Sequence, residues 1–156
     1  PARPDHVDLD DGVVRGGYPL EPAAGDGPRV NLLGSGTILF EVMQAADTLR
    51  DEGYAVAVYS ITSYVELARD AERAEQEDAV DTAWLDTIFP ETDVPTVAAT
   101  DYVRALPRMI ASWINGPFTA LGTDGFGKSE RRADLRAHFK VDAASIADAA
   151  RRLASS

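Results

Sequence analysis

From Arg29 onward the chain repeats one theme: a short apolar run, a turn, then apolar residues at helical spacing. After Val30 to Leu33 comes the turn Gly34-Ser35-Gly36-Thr37, and Ile38, Leu39, Val42, Met43, Ala46 and Leu49 then recur every three or four residues up to Gly53. That pattern predicts a strand, a turn and an amphipathic helix whose C′ residue is Gly53. Tyr54 to Ile61 is apolar at nearly every position, as expected of a strand covered on both faces. Thr62-Ser63 then supplies a cap for a strongly charged helix from about Tyr64 to Gln76. Thr96 to Ala99 predicts a third strand ending at Thr100-Asp101. Val103, Leu106, Ile110, Trp113 and Ile114 form the next helical face, with a kink or a detached first turn expected at Pro107. Phe118 to Leu121 is a fourth strand, and two closing helices are expected over about 130–139 and 143–153.

Strands alternating with helices predict an α/β fold: a three-layer, open, mostly parallel sheet with helices on both faces. The parallel strands are expected near 30–34, 55–61, 96–100 and 118–122. Residues 1–28 differ, being rich in proline, glycine and acids, and read as an extended lead into a domain spanning 29–156. Within that lead only Gly12 to Leu20 could add a short edge strand. Each predicted parallel strand ends in small or polar residues, and in such sheets ligands bind at the carboxyl ends. The same residue types also serve ordinary helix caps.

Composition narrows the chemistry. The 156 residues are 45% hydrophobic and 26% charged, as in folded globular proteins. The net charge of −11 disfavours binding to nucleic acid, and no apolar run is long enough to suggest a membrane span. The charged stretch from Pro1 to Asp11 lacks the apolar core of a signal peptide, so a cytoplasmic location is expected. With no cysteine and only His6 and His138, thiolate chemistry and a three-histidine zinc site are excluded.

Several motifs stop short of a catalytic pattern. The Gly34-Ser35-Gly36-Thr37 turn has neither the third glycine of a dinucleotide fingerprint nor the lysine of a P-loop, and reads as a tight capped turn. Gly25-Asp26-Gly27 opens like a thiamin diphosphate motif, but Asn31 and Asn115 are the only asparagines and are not adjacent, so it reads as a linker turn. No Gly-x-Ser-x-Gly pattern accompanies His138, whose place late in a helix suits the helix dipole. Residues 66–93 hold ten acids and two arginines around Trp84, Leu85, Ile88 and Phe89, which reads as a solvated face with one packed helix. The loop Gly122 to Ser129 is the most specific local feature. Its three glycines within 122–127 permit positive φ or close approach to another chain, and Phe126 lies between two of them. A basic island follows over 128–140. Asp124, Phe126, Lys128 and Ser129 are therefore candidate interface residues, and no catalytic, metal or cofactor-binding residue is assigned. On the residues alone, two readings stay open: a free-standing doubly wound module holding a small anion at the strand ends, and an acidic protein-interaction module.

Four strings together resemble one family: Val30-Asn31-Leu32-Leu33-Gly34-Ser35-Gly36; the run from Val58-Tyr59-Ser60-Ile61 through Thr62-Ser63-Tyr64-Val65-Glu66-Leu67-Ala68-Arg69-Asp70; Ala99-Thr100-Asp101-Tyr102; and Leu121-Gly122-Thr123-Asp124-Gly125-Phe126-Gly127-Lys128-Ser129. With Leu135, His138-Phe139, Val141-Asp142 and Ile146, they look like the transketolase C-terminal-like domain of the homodimeric pyruvate dehydrogenase E1 component. The likeness runs from about residue 11 onward. It departs from the family pattern at the acidic segment Glu72 to Phe89 and at Pro107. The resemblance implies a part of a larger enzyme that decarboxylates pyruvate oxidatively and passes the acetyl group to a lipoyl-bearing dihydrolipoyl acyltransferase, E2. Preceding E1 domains would hold thiamin diphosphate and magnesium, none being bound by this chain. The domain would contribute contacts to those domains and to a second E1 subunit, and would be inactive alone.

Overall fold

The computed structural model describes residues 9–76, 83–123 and 140–155. A short helix α1 (Leu9–Val14) precedes strand β1 (Gly17–Glu21). Strand β2 (Arg29–Ser35) leads through a 3₁₀ turn at Gly36–Ile38 into helix α2 (Leu39–Asp51). Then come β3 (Ala55–Ile61), α3 (Tyr64–Gln76), α4 (Trp84–Ile88) and β4 (Thr96–Ala99). A one-turn helix α5 (Ala105–Arg108), a 3₁₀ turn at Ala111–Trp113, β5 (Phe118–Leu121) and α6 (Ala143–Ala154) complete the described elements.

The strands form one sheet in the order β1-β3-β2-β4-β5. β2 pairs in parallel with both β3 and β4, and β4 with β5, so the four expected parallel strands are all present. The lead supplies the antiparallel edge: Gly17 lies opposite Ile61 and Tyr18 opposite Ser60, with an irregularity between Pro19 and Glu21. The lead expected over 1–28 thus carries a helix and an edge strand among its described residues, because β3 would otherwise leave a buried strand's amides unpaired on that side.

Side chains alternate between two cores. Val30, Leu32, Val56, Val58 and Val97 meet Val42, Ala46 and Leu49 of α2 and Ile146 and Ala150 of α6. On the opposite face Leu33, Ala57, Tyr59, Ile61 and Ala98 meet Leu67 and Ala71 of α3, Leu85 and Ile88 of α4, and Ile110 and Ile114. Both central strands are therefore covered on both faces, which their nearly continuous apolar runs require.

Local signals act at the ends. Gly53, at φ +92°, takes the left-handed position after α2. Its amide donates to Arg50 O at 2.9 Å and that of Tyr54 to Leu49 O at 3.0 Å, the paired bonds of a Schellman motif. Ser63 caps α3 by accepting from the Glu66 amide at 3.2 Å. Asp142 caps α6 by accepting from the Ser145 amide at 3.0 Å, and Glu41 of α2 accepts from the Ala143 amide at 3.0 Å. The helical face read from Val103 to Ile114 does not form one helix. Pro107 lies in the first turn of α5, where its missing N–H costs nothing but its ring bars extension toward Val103. Val103 stays exposed, while Ile110 and Ile114 still reach the core.

A polar latch fixes the lead onto the α3–α4 side. The Asp70 carboxylate accepts from the Trp84 amide at 2.6 Å and from Arg73 at 2.7 Å, with Arg15 at 3.4 Å. The Arg15 guanidinium lies 4.5 Å from the centre of the Trp84 ring, and Trp84 Nε1 donates to Gly17 O at 2.8 Å. Burial acts to raise the Asp70 pKa, but the Trp84, Arg73 and Arg15 interactions outweigh it and hold the carboxyl below its ordinary value. A carboxyl held low contributes stability that is present above its unfolded pKa and is lost as pH falls through its folded one. Asp70→Ala should therefore cost about 2 kcal/mol in urea unfolding at pH 7. The gap from the wild-type chain should narrow progressively below about pH 4; a gap independent of pH would show that the carboxylate charge plays no part.

Candidate functional site

The carboxyl ends of the parallel strands, where the sequence places any site, carry a continuous polar seam. Ser35 at the end of β2 donates from Oγ to Thr100 Oγ1 beyond β4 at 2.8 Å, and Thr100 Oγ1 accepts from the Tyr102 amide at 3.2 Å. Thr37 Oγ1 donates to Asp101 Oδ2 at 3.3 Å. Thr123, following β5, donates from Oγ1 to Asp101 O at 2.6 Å and from its amide to Tyr102 O at 2.9 Å. At the β3 end, Thr62 Oγ1 donates to Val13 O at 2.8 Å. These hydroxyls are therefore spent on one another, on the Asp101 carboxylate and on backbone. Gly34 to Thr37 forms the tight turn expected, but the expected side-chain cap is absent, since Ser35 turns its hydroxyl to Thr100 instead.

Two glycines are set by space. Gly36 has φ +56°, and a Cβ there would meet Asp101 Oδ1 at 3.3 Å. At Gly122 a Cβ would come within 2.6 Å of Tyr102 O, so the start of the glycine-rich loop packs directly on the backbone after β4. The close approach at Gly122 is therefore to its own chain. Asp124, Phe126, Lys128 and Ser129, like His6 and His138, lie outside the described residues.

Beneath the seam a cavity of about 180 Å³ is lined by Ser35, Ile61, Thr62, Ser63, Tyr64, Val65, Tyr102 and Leu106. Tyr64 is fully enclosed. Its hydroxyl has no hydrogen-bond partner among the described residues, and burial raises its pKa above the ordinary phenol value. Around the same end the surface is apolar. Phe40 (59% exposed) stands in the first turn of α2, and Tyr102 (61%) and Val103 follow β4. Val13 and Val14 are exposed beside the Thr62 contact. Large apolar side chains gathered at one end of a domain mark a contact surface.

Among the described residues no thiamin diphosphate–magnesium site is built. Asp26 sits in the bend joining β1 to β2, where a Cβ on Gly27 would collide with Gly53 O, so that glycine serves backbone packing. No group of three or more His, Cys, Asp or Glu side chains among the described residues is placed to hold a metal ion. No helix among them is long and apolar enough to cross a membrane. Sequence reading missed the Ser35–Thr100 bond, the Arg15–Trp84 contact and the buried Tyr64 hydroxyl. The small polar residues at the strand ends were the available signal for the first; nothing local announces the other two.

Residues 16–142 match the family of transketolase-like TK C-terminal domains. The chain belongs to that family. It is 39% identical over 156 residues to the pyruvate dehydrogenase E1 component of Escherichia coli K12, covering 96% of this chain and 17% of that protein. It is 37% identical over 154 residues to the E1 component of Corynebacterium glutamicum, covering 94% and 16%. The chain thus spans about a sixth of the length of these curated relatives. Among solved structures it is similar to the transketolase from Leishmania mexicana, with a TM-score of 0.64, 23% identity, and coverage of 93% of this chain and 19% of that one. A split-gene transketolase described as an inactive β4 tetramer matches with a TM-score of 0.60 at 15% identity, covering 90% and 43%. These likenesses bear out the mostly parallel α/β fold and the resemblance to E1 and transketolase C-terminal domains.

The Ser35–Thr100 bond is testable without any ligand. Thr100→Val should cost about 1–3 kcal/mol in thermal or urea unfolding, because it strands the buried Ser35 hydroxyl and the Tyr102 amide. Adding Ser35→Ala should recover part of that loss, and strictly additive costs would show that the two hydroxyls are not coupled.

Proposed function

We propose that the chain acts as the C-terminal domain of a thiamin-diphosphate-dependent pyruvate dehydrogenase E1. The observation that carries this is 39% identity sustained over 96% of the chain to an E1 component several times longer. In this reading the whole enzyme decarboxylates pyruvate oxidatively and transfers the acetyl group to the lipoyl group of E2 in a cytoplasmic multienzyme complex. Cofactor and magnesium are held by preceding domains, and this domain is inactive alone. Its task is contact with those domains and with the second subunit of a homodimer. The apolar side chains Phe40, Tyr102 and Val103 at the strand ends support that assignment, since solvent is a poor resting place for them. The loop residues Asp124, Phe126, Lys128 and Ser129 belong to the same proposed interface. In the sequence they come after β5.

Isothermal titration of the chain with thiamin diphosphate and magnesium should give no saturable heat, and micromolar binding would overturn this division of labour. In the full-length enzyme Tyr102→Ser should weaken dimerisation or activity by about tenfold or more, the scale of one buried aromatic contact. The melting temperature of the isolated chain should change little, because the Tyr102 ring is exposed there. A fall of several degrees would instead make the ring part of the domain's own packing.

A further inference from the structure

At the opposite end of the sheet, near the amino ends of the parallel strands, a cleft of about 470 Å³ opens between the exit of β1 and the segment Trp84 to Glu91. Its floor is the sheet itself, formed by Asn31 of β2 and by Ala57 and Tyr59 of β3. Pro22 and Ala23 line one wall, and Ile88, Phe89 and Pro90 the other.

Asn31 is out of place by every rule that shapes β2. It interrupts the apolar run Val30 to Leu33, lies in register between Ala57 and Thr96, and is only 8% exposed. Thr96, its polar neighbour, spends its hydroxyl on Val94 O at 3.1 Å. Asn31 lines the cleft, and no hydrogen bond of its carboxamide is found among the described residues. Its carboxamide is not among the buried polar atoms left without a partner, so it is open to the cleft and available to pair with a ligand there. Tyr59 adds a second polar group to the floor. Its ring centre stands 4.5 Å from that of Phe89, tilted by 49°. Burial, and then the charge of Glu91, push its pKa up to about 12 against the opposing pull of Arg29, so the hydroxyl remains a donor at neutral pH.

The charges at the mouth narrow the choice of ligand. Glu91 is paired with Arg29 at 2.5 Å, and Glu21 with Arg50 at 2.7 Å. Arg29, the one cation lining the cleft, is thus already engaged, and the chain as a whole is strongly acidic. A phosphate or carboxylate would find little to neutralise it. The walls are aromatic, aliphatic and proline surfaces suited to a flat ring, and the volume falls within the usual range for small-molecule sites.

We propose that this cleft binds an uncharged planar heteroaromatic molecule of the nucleobase or nucleoside class, whose adjacent donor and acceptor atoms pair with the Asn31 carboxamide while its ring lies against Phe89 and the flanking prolines. An asparagine carboxamide matches such an edge in two parallel hydrogen bonds, as it does the N6–N7 edge of adenine.

Adenosine is the probe. Titrated into the full chain and followed by amide NMR, it should give saturable shifts confined to residues 19–23, 29–31, 57–59 and 84–91. Asn31→Ala should weaken binding at least tenfold, Tyr59→Phe should weaken it less, and AMP should bind no more tightly than adenosine. Tyr59→Phe keeps the ring and its packing, so it preserves the test if Asn31→Ala does not fold. No shifts at millimolar adenosine, shifts outside the cleft, or unchanged affinity in the folded variants would overturn the proposal. Tighter binding of AMP would overturn the assignment to an uncharged ligand.

Discussion

The architecture depends on the burial of one strand on all four sides. β2 has hydrogen-bonded neighbours on both edges and helices over both faces, and every residue from Val30 to Ser35 is buried. Parallel pairing of β2 with β3 and β4 requires long crossover connections. Those connections carry α2 on one face and α3 and α4 on the other, and α6 joins α2 in closing its core. Gly34 marks how tight the arrangement is: a Cβ there would sit 2.9 Å from the Leu39 Cα, so α2 is pressed against the strand it follows. The close packing brings the ends of β2 and β4 near enough for Ser35 and Thr100 to bond directly.

Much of this was legible in the chain because it rests on local signals. The nearly continuous apolar run from Ala55 to Ile61, the glycine after α2 and the Thr62-Ser63 cap each report a physical requirement confined to a few neighbours. The span from Val103 to Ile114 was harder. Its apolar spacing is helical, and Ile110 and Ile114 reach the core as read while Val103 does not; Pro107 decides where the backbone can start, and the run divides into a helical turn and a 3₁₀ turn. The latch around Asp70 could not have been read at all. Arg15, Asp70 and Trp84 are distant in sequence and meet only once β1 has joined the sheet. In the family resemblance Asp70 was the last residue of a recognisable string, but the string says nothing of its partners.

The candidate contact end divides in the same way. Polar residues at the strand ends were visible, and the structure brings Ser35, Thr37, Thr100, Asp101 and Thr123 together into one seam. That these groups satisfy each other leaves the surrounding apolar residues as the feature with most to gain from a partner. Phe40 and Tyr102 lie far apart in the chain, and only the parallel order of β2 and β4 sets both at one end.

The two borders of the sheet share a feature with a bearing on how the domain behaves when crowded. β1 carries Pro19 next to its break in register, and β5 is only four residues long and is preceded by Pro117, whose carbonyl accepts from Thr96 at 2.8 Å. A proline has no amide to offer an incoming strand, and a short or kinked border gives it little length to grip. The sheet is thereby a poor template for recruiting further strands. A domain whose central strands are as β-prone and uncharged as Ala55 to Ile61 is guarded at its margins against growing into fibrils.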